Sequence, residues 1–299
     1  MTPTIYVIGN VNVDLIMGPL GQWPKVGTEI VLPHSETRIG GGAGNSALAL
    51  QALGARHHLL AAVGEDIFGD WLKAGFDAGA ATWIVKPCPT TVSAGIVDPG
   101  GERTFLTSQG HLSVFSLEDA LQLLPQRAAP GDLLLLEGCF LSPNLLEHYE
   151  TLIDAGIGRG FTLALDTGWP PDGWSAAFRT RVLGWLARFE HLLLNEIEVL
   201  SLSGDTMPDP AVAKLRAALR SSATLVMKRG PKGASGYRGD ERIDVPAPRV
   251  AVIDTIGAGD VFDAGYLAAL VQGADLQAAI EAGVATASTA ISTAPRRYR

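Results

Sequence analysis

Short, nearly unbroken apolar runs recur along this chain with room for a helix between successive runs, and that rhythm limits the fold more than any other feature. The runs are Ile5 to Ile8, Leu59 to Val63, Leu133 to Leu136, Thr162 to Leu165, His191 to Leu194 and Leu225 to Met227. A strand that is apolar at successive positions has to be buried on both faces, as in a parallel sheet covered by helices. The stretches between them, Asn45 to Leu53, Asp66 to Ala78, Leu117 to Leu124, Pro143 to Ala155, Pro210 to Arg220 and Gly259 to Leu270, carry helical spacing. Ser142-Pro143 and Asp209-Pro210 read as caps followed by a proline in the first turn. The alternation predicts an α/β fold with a doubly wound, mostly parallel sheet flanked by helices.

Two regions depart from this rhythm. Residues 12–38 and 90–108 read as short alternating strands joined by Gly/Pro turns, among them Asp98-Pro99-Gly100-Gly101. They are expected to pair as a small β sheet set apart from the main one. With no long polar linker and no repeat, residues 1–299 are expected to form one domain, with the small sheet as a lid over ligand at the carboxyl ends of the main strands.

The net charge of −8 and pI near 5.2 offer no general attraction to nucleic acid or anionic membrane, so any polyanion must be held by a local site. Two cysteines, Cys88 and Cys139, are too few for a disulfide framework and fit a reducing compartment. The run from Thr4 to Gly9 lacks the basic segment of a secretion signal, and no stretch is long and apolar enough to span a bilayer. A cytoplasmic location is expected.

Five segments carry candidate chemistry. In Asp254-Thr255-Ile256-Gly257-Ala258-Gly259-Asp260, a glycine-rich turn opens into an apolar helical run. The N–H groups of Gly257, Ala258 and Gly259 would converge on one point and, with the helix dipole, form an anion hole for a phosphate. Asp260 is placed either to accept a proton from an attacking hydroxyl or to cap the helix. Gly40-Gly41-Gly42-Ala43-Gly44-Asn45 lacks the lysine of a phosphate-binding Walker loop and the spacing of a dinucleotide site. It suits either a polyol approaching the backbone, with Asn45 bonding hydroxyls, or a plain tight connection.

In Asn10-Val11-Asn12-Val13-Asp14, alternation puts three short polar side chains on one face, as a hydroxyl-binding set or an Asx-rich turn. Asn195 and Glu198, three residues apart at a helix start, suit either Mg²⁺ held through water beside a triphosphate or a capping box. Lys228-Arg229-Gly230-Pro231-Lys232-Gly233 is a local basic turn, matched either to nucleotide phosphates or to solvent.

Taken in this order, the five segments resemble the ribokinase-like (PfkB) carbohydrate kinase family over essentially the whole chain. The resemblance implies an enzyme, a phosphotransferase that moves a phosphoryl group from ATP with Mg²⁺ to a hydroxyl of a small sugar or sugar acid. It also implies a lid that closes on substrate and often makes a homodimer contact. On matching positions, Asp260 would be the base and Gly257, Ala258 and Gly259 the anion hole. Asn12, Asp14, Gly41, Gly42, Asn45 and Glu137 would hold the acceptor. Asn195, Lys228, Gly230 and Gly233 would serve the nucleotide, Glu198 would hold Mg²⁺ through water, and Asp254 and Ile256 would line a K⁺ loop.

Departures from the family pattern bear on the acceptor and the cation. Lys228 stands where many relatives have threonine, a variation resembling ketodeoxygluconate-type kinases. Gly110-His111-Leu112 replaces the Gly-Ala-Asn common in ribokinases, and Ser292 to Pro295 lacks the glycine usual beside the cation loop. A nucleoside acceptor of the adenosine or pseudouridine type is the alternative. Trp23, Phe105 and His111 are the aromatic residues that either stack on such a base or pack the lid.

Overall fold

The computed structural model describes residues 2–100 and 103–299, so Gly101 of the expected turn lies outside the described residues. The chain begins with β1 (Ile5–Gly9), crosses Asn10-Val11, and enters β2 (Asn12–Gly18) and β3 (His34–Gly40). It then runs through α1 (Gly42–Leu53), β4 (His57–Gly64), α2 (Ile67–Ala74), β5 (Ala81–Lys86), β6 (Val92–Val97) and β7 (Arg103–Thr107). The middle comprises α3 (Leu117–Leu123), β8 (Leu133–Glu137), α4 (Pro143–Glu147), α5 (Tyr149–Gly158), β9 (Thr162–Asp166), α6 (Ala176–Trp185), β10 (His191–Asn195) and α7 (Glu196–Ser203). The last part holds α8 (Pro208–Ala218), β11 (Thr224–Lys228), β12 (Ala234–Arg238), β13 (Glu241–Val245), α9 (Ala258–Val271) and α10 (Leu276–Ile291).

The large sheet has the order β13-β12-β11-β10-β9-β8-β1-β4-β5. Its strands are parallel except for the β12–β13 hairpin, which pairs antiparallel at one edge. Alternation explains why the strand runs are apolar throughout. Leu134 and Leu136 of β8 pack with Leu163, Leu165, Leu192 and Leu194 under one helical layer. Leu133 and Leu135 point the other way, into a core shared with Ala164, Leu193, Val226, Ala43 of α1 and Val261 of α9. Both faces are covered, as the period-one apolar pattern requires.

That parity also sets the positions of the polar residues ending these strands. Glu137, Asp166, Asn195 and Lys228 close β8, β9, β10 and β11 at the same end of the sheet. Each is two residues beyond a member of the second core (Leu135, Ala164, Leu193, Val226), so alternation sends all four toward the face carrying α1 and α9. Their meeting with the start of α9 is therefore fixed by strand geometry.

The second sheet has the order β3-β2-β6-β7, with β2 and β6 parallel and the outer pairs antiparallel. Some expected elements shift. The Pro143 helix breaks at His148 into α4 and α5, and Ser142 makes no side-chain cap. Helix α8 starts at Pro208, so Asp209 lies in its first turn instead of capping it. The helix start expected at Asn195 is α7, whereas helices α6 and α10 and strands β5, β12 and β13 were not expected; α10 is Ala-rich and is capped by Asp275, whose side chain accepts from Ala278 N at 2.8 Å.

Candidate active site

Asp260 sits in the first turn of α9, where Gly257 precedes the helix with φ 71°. A Cβ at Gly257 would lie 2.8 Å from Asn45 Nδ2, so both the left-handed backbone and the close approach call for glycine. Asn45 Nδ2 donates to Asp260 Oδ2 at 2.8 Å, joining the start of α9 to α1. Ser46 Oγ reinforces the junction, lying 2.9 Å from Glu137 Oε1 and 3.0 Å from the Asp260 carbonyl. Asp260 therefore does not cap its own helix: no side-chain cap bond forms at this N-terminus.

The proposed anion hole is narrower than expected. The Ala258 N–H donates to the Thr255 carbonyl at 3.2 Å and is consumed by the turn. The N–H groups of Gly257 and Gly259 have no acceptor among the described residues. Lys228 Nζ lies close by, 3.3 Å from where a Cβ on Gly259 would stand.

Lys228 does not extend into solvent as part of a basic turn. Its ammonium is buried, 2.7 Å from Asp166 Oδ2 and 2.9 and 3.1 Å from the two oxygens of Asp263. Burial opposes its charge, but Asp166 and Asp263 outweigh it and hold the lysine pKa well above its ordinary value. Oxygens of Glu137, Asp166 and Asp263 lie within 4.8 Å of one another, and the cation held between the latter two is the lysine itself. The other cations of the segment have acidic neighbours too: Arg229 is 3.2 Å from Asp244 and Lys232 is 3.9 Å from Glu196. The expected basic cluster thus disperses. Its turn still lines a cavity of about 760 Å³ with Lys228, Gly230, Gly233, Asn195, Glu198 and Asp260, within the size range of small-molecule sites.

Asn195 and Glu198 form a reciprocal capping box, each accepting from the other's backbone N–H, at 2.9 and 2.8 Å. Glu198 also faces this cavity, and burial followed by repulsion from Asp166 pushes its pKa up to about 8. A buried carboxyl under that pressure gains from a bound cation, so the site fits Mg²⁺.

A smaller cavity of about 150 Å³ lies on the other side of Asp260, lined by Asn10, Gly42, Glu137, Asp166 and Trp169 among others. Asp260 belongs to both cavities. Burial, then the charge of Asp166, raises its pKa above the usual aspartate value. Glu137 is raised well above its own, by burial and then by Asp260 itself.

Asn12 and Asp14 share one face of β2, and Asn12 Nδ2 donates to Asp14 Oδ1 at 2.7 Å and to Ser93 Oγ at 3.2 Å. Asn10 does not join them; it lies in the crossing between the sheets, where a Cβ on Gly138 would come within 1.9 Å of its Oδ1. Gly41 caps α1 and Gly42 begins it, with Glu137 Cγ 2.9 Å from where a Gly42 Cβ would stand. Burial raises the Asp14 pKa to about 6, and the carboxyl also feels the charges of Arg38, Asp260 and Asp254.

Asp254 does not fit a monovalent cation. Oδ2 accepts from Arg38 Nη1 at 2.5 Å and Arg296 Nη2 at 2.9 Å. Oδ1 accepts from Arg103 Nη2 and Ile256 N–H, both at 2.9 Å. Four donors fill the carboxylate, and the positive charge a cation would bring is already supplied by guanidinium groups.

Sequence reasoning missed Ser46, Asp166 and Asp263. Asp166 ends an apolar strand just as Glu137 does, and Asp263 lies one helical turn past Asp260, so both signals were present. Of the aromatic residues, His111 is fully buried and its Nδ1 accepts from Thr91 N–H, so it packs; Trp23 and Phe105 are exposed.

The family model described as "pfkB family carbohydrate kinase" matches residues 2–295. A deoxyribokinase of Salmonella typhi is 30% identical over 302 residues, covering 96% of this chain and 92% of the relative. The ribokinase of Arabidopsis thaliana, solved with ribose and ATP, shares the fold with a TM-score of 0.78 at 23% identity, covering 98% of this chain and 94% of that one. A nucleoside kinase of Burkholderia thailandensis, solved with inosine, gives 0.76 at 18% identity, covering 97% and 91%. The chain belongs to the pfkB family of carbohydrate kinases, phosphotransferases that act on a hydroxyl group.

Proposed function

We propose that this enzyme transfers the γ-phosphoryl group of ATP to a hydroxyl of a small sugar or sugar acid, with Asp260 as general base. The observation that carries this reading is the position of Asp260. It borders both cavities, beside backbone N–H groups that have no acceptor among the described residues and with a pKa raised above the usual aspartate value, whereas Asp166, which also borders both, is held by the Lys228 ammonium. ATP would occupy the larger cavity along Asn195, Lys228, Gly230 and Gly233, and the acceptor would lie against Asn12, Asp14, Gly41, Gly42, Asn45 and Glu137. Mg²⁺, held through water by Glu198, would offset phosphate charge.

Asp260 takes the hydroxyl proton as the oxygen bonds to the γ-phosphorus and the bond to the bridging oxygen of ADP breaks. Gly257 and Gly259 N–H groups stabilise the charge on the phosphoryl oxygens. Lys228 remains with Asp166 and Asp263, and its field reaches the same point without leaving them. In this reading residues 1–299 act as one domain, the small sheet closes as a lid, and two lids meet in a homodimer in the cytoplasm.

A nucleoside acceptor is the second reading, favoured by one observation: Phe105 is exposed on the same face of the small sheet as Gly95 and Ile16. Rates of ATP consumption across ketoses, aldoses, sugar acids and nucleosides separate the two. Asp260→Asn is expected to lower turnover roughly 10²- to 10⁴-fold while leaving the KM for ATP nearly unchanged. Near-normal turnover in that variant would remove Asp260 from the role.

A further inference from the structure

The small sheet brings two cations to the candidate site that the chemistry above does not use. Arg38 of β3 and Arg103 of β7 share the face of the sheet that carries Asn12 and Asp14. Asp14 pairs in register with Arg38 and Ser93, and Val97, four residues beyond Ser93 on β6, pairs with Arg103. Both guanidinium groups reach the loop ahead of α9, and Arg296 joins them from beyond the end of α10.

This cluster is unbalanced in two independent ways. In charge, among the described residues three guanidinium groups meet a single carboxylate directly, Asp254, with Asp14 further off. In hydrogen bonding, Arg103 places Nη1 on Thr255 Oγ1 and Nη2 on Asp254, yet its Nε has no partner. Arg38 places Nη1 on Asp254, and its Nη2 has none. Both orphaned nitrogens are buried and lack an acceptor among the described residues. A buried cationic donor left unpaired is costly, so such a pair in one place marks an acceptor that arrives with a ligand.

We propose that the acceptor substrate carries an anionic group, a carboxylate or a phosphate, which Arg38 and Arg103 bind while its hydroxyls meet Asp14 and Asn45. This rests on the kinase reading and narrows its substrate to acidic polyols. The arginine fork matches the planar geometry of a carboxylate and the paired oxygens of a phosphate. A neutral sugar or a nucleoside leaves both donors unpaired, and a site built that way rejects it.

The test compares matched pairs: gluconate with glucose, and fructose 6-phosphate with fructose, with inosine as a third arm. The anionic member of at least one pair is expected to show kcat/KM about tenfold or more above its neutral partner. The gluconate arm identifies a carboxylate and the fructose 6-phosphate arm a phosphate. Arg38→Gln and Arg103→Gln should each raise KM for that anionic acceptor about tenfold with the KM for ATP unchanged, and Arg38→Lys, which keeps the charge, should recover part of the loss. Circular dichroism confirms that each variant is folded; if one is not, the native enzyme's discrimination decides.

Equal kcat/KM for neutral and anionic members, or arginine variants that affect both alike, would overturn the proposal. Calorimetric binding of the same compounds keeps the two claims apart. Tighter binding of the anions with no ATP consumption would sink the kinase reading and leave the anion site standing, whereas binding without discrimination would remove the site.

Discussion

Asp260 and Glu137 are both carboxyls pressed by burial, but they are pressed to different degrees. Glu137 is raised well above its usual value, by burial and then by the charge of Asp260, while Asp260 is raised above its own by burial and then by the charge of Asp166. A base works only in its deprotonated form, so activity should fall as pH drops through the pKa of Asp260. Because that pKa is raised, the acid limb of the kcat/KM profile should lie above the range of an ordinary aspartate. A profile flat down to about pH 4 would count against the assignment. Lys228 shows the limit of reading residues singly: it was legible as a cation near phosphate, but not as the charge between Asp166 and Asp263, because those partners lie 62 and 35 residues away.

At the level of elements, the contact between β2 and β3 decides how the acceptor side is shaped. A Cβ on Gly40, the last residue of β3, would come within 2.1 to 2.3 Å of the Asp14 carboxyl atoms. Gly40→Ala must therefore displace Asp14 or bend the end of β3. The expected result is a rise of about tenfold or more in KM for the acceptor, with KM for ATP little changed, since the larger cavity lies on the far side of Asp260. Parallel steady-state titrations of the two substrates check this. An equal rise in both KM values would place the damage in the fold as a whole.

The whole molecule is tied together at Asp254. Arg38 and Arg103 of the small sheet, Arg296 near the C-terminus and the loop before α9 all meet on that one carboxylate. The same loop is held from below by Ile253 and Asp254 N–H groups donating to the Ile291 carbonyl at the end of α10. Guanidinium groups and the Ile256 N–H already satisfy the Asp254 carboxylate, so exchanging K⁺ for tetramethylammonium should change kcat/KM by no more than about twofold. A strong activation by K⁺ in initial-rate measurements would show that the arginines yield to the ion. By itself, the sequence determined the alternating sheet and helices, the separate small sheet, the glycine-rich turn before Asp260 and the polar residues that end the strands. Each of these is written in local periodicity and turn chemistry, which act over a few residues. Tertiary structure alone decided which charges meet: strand parity aimed Glu137, Asp166, Asn195 and Lys228 at α9, and the fold brought Arg38 and Arg103 onto Asp254. Pairing across more than a hundred residues depends on how the sheets pack, and no local pattern in the chain records it.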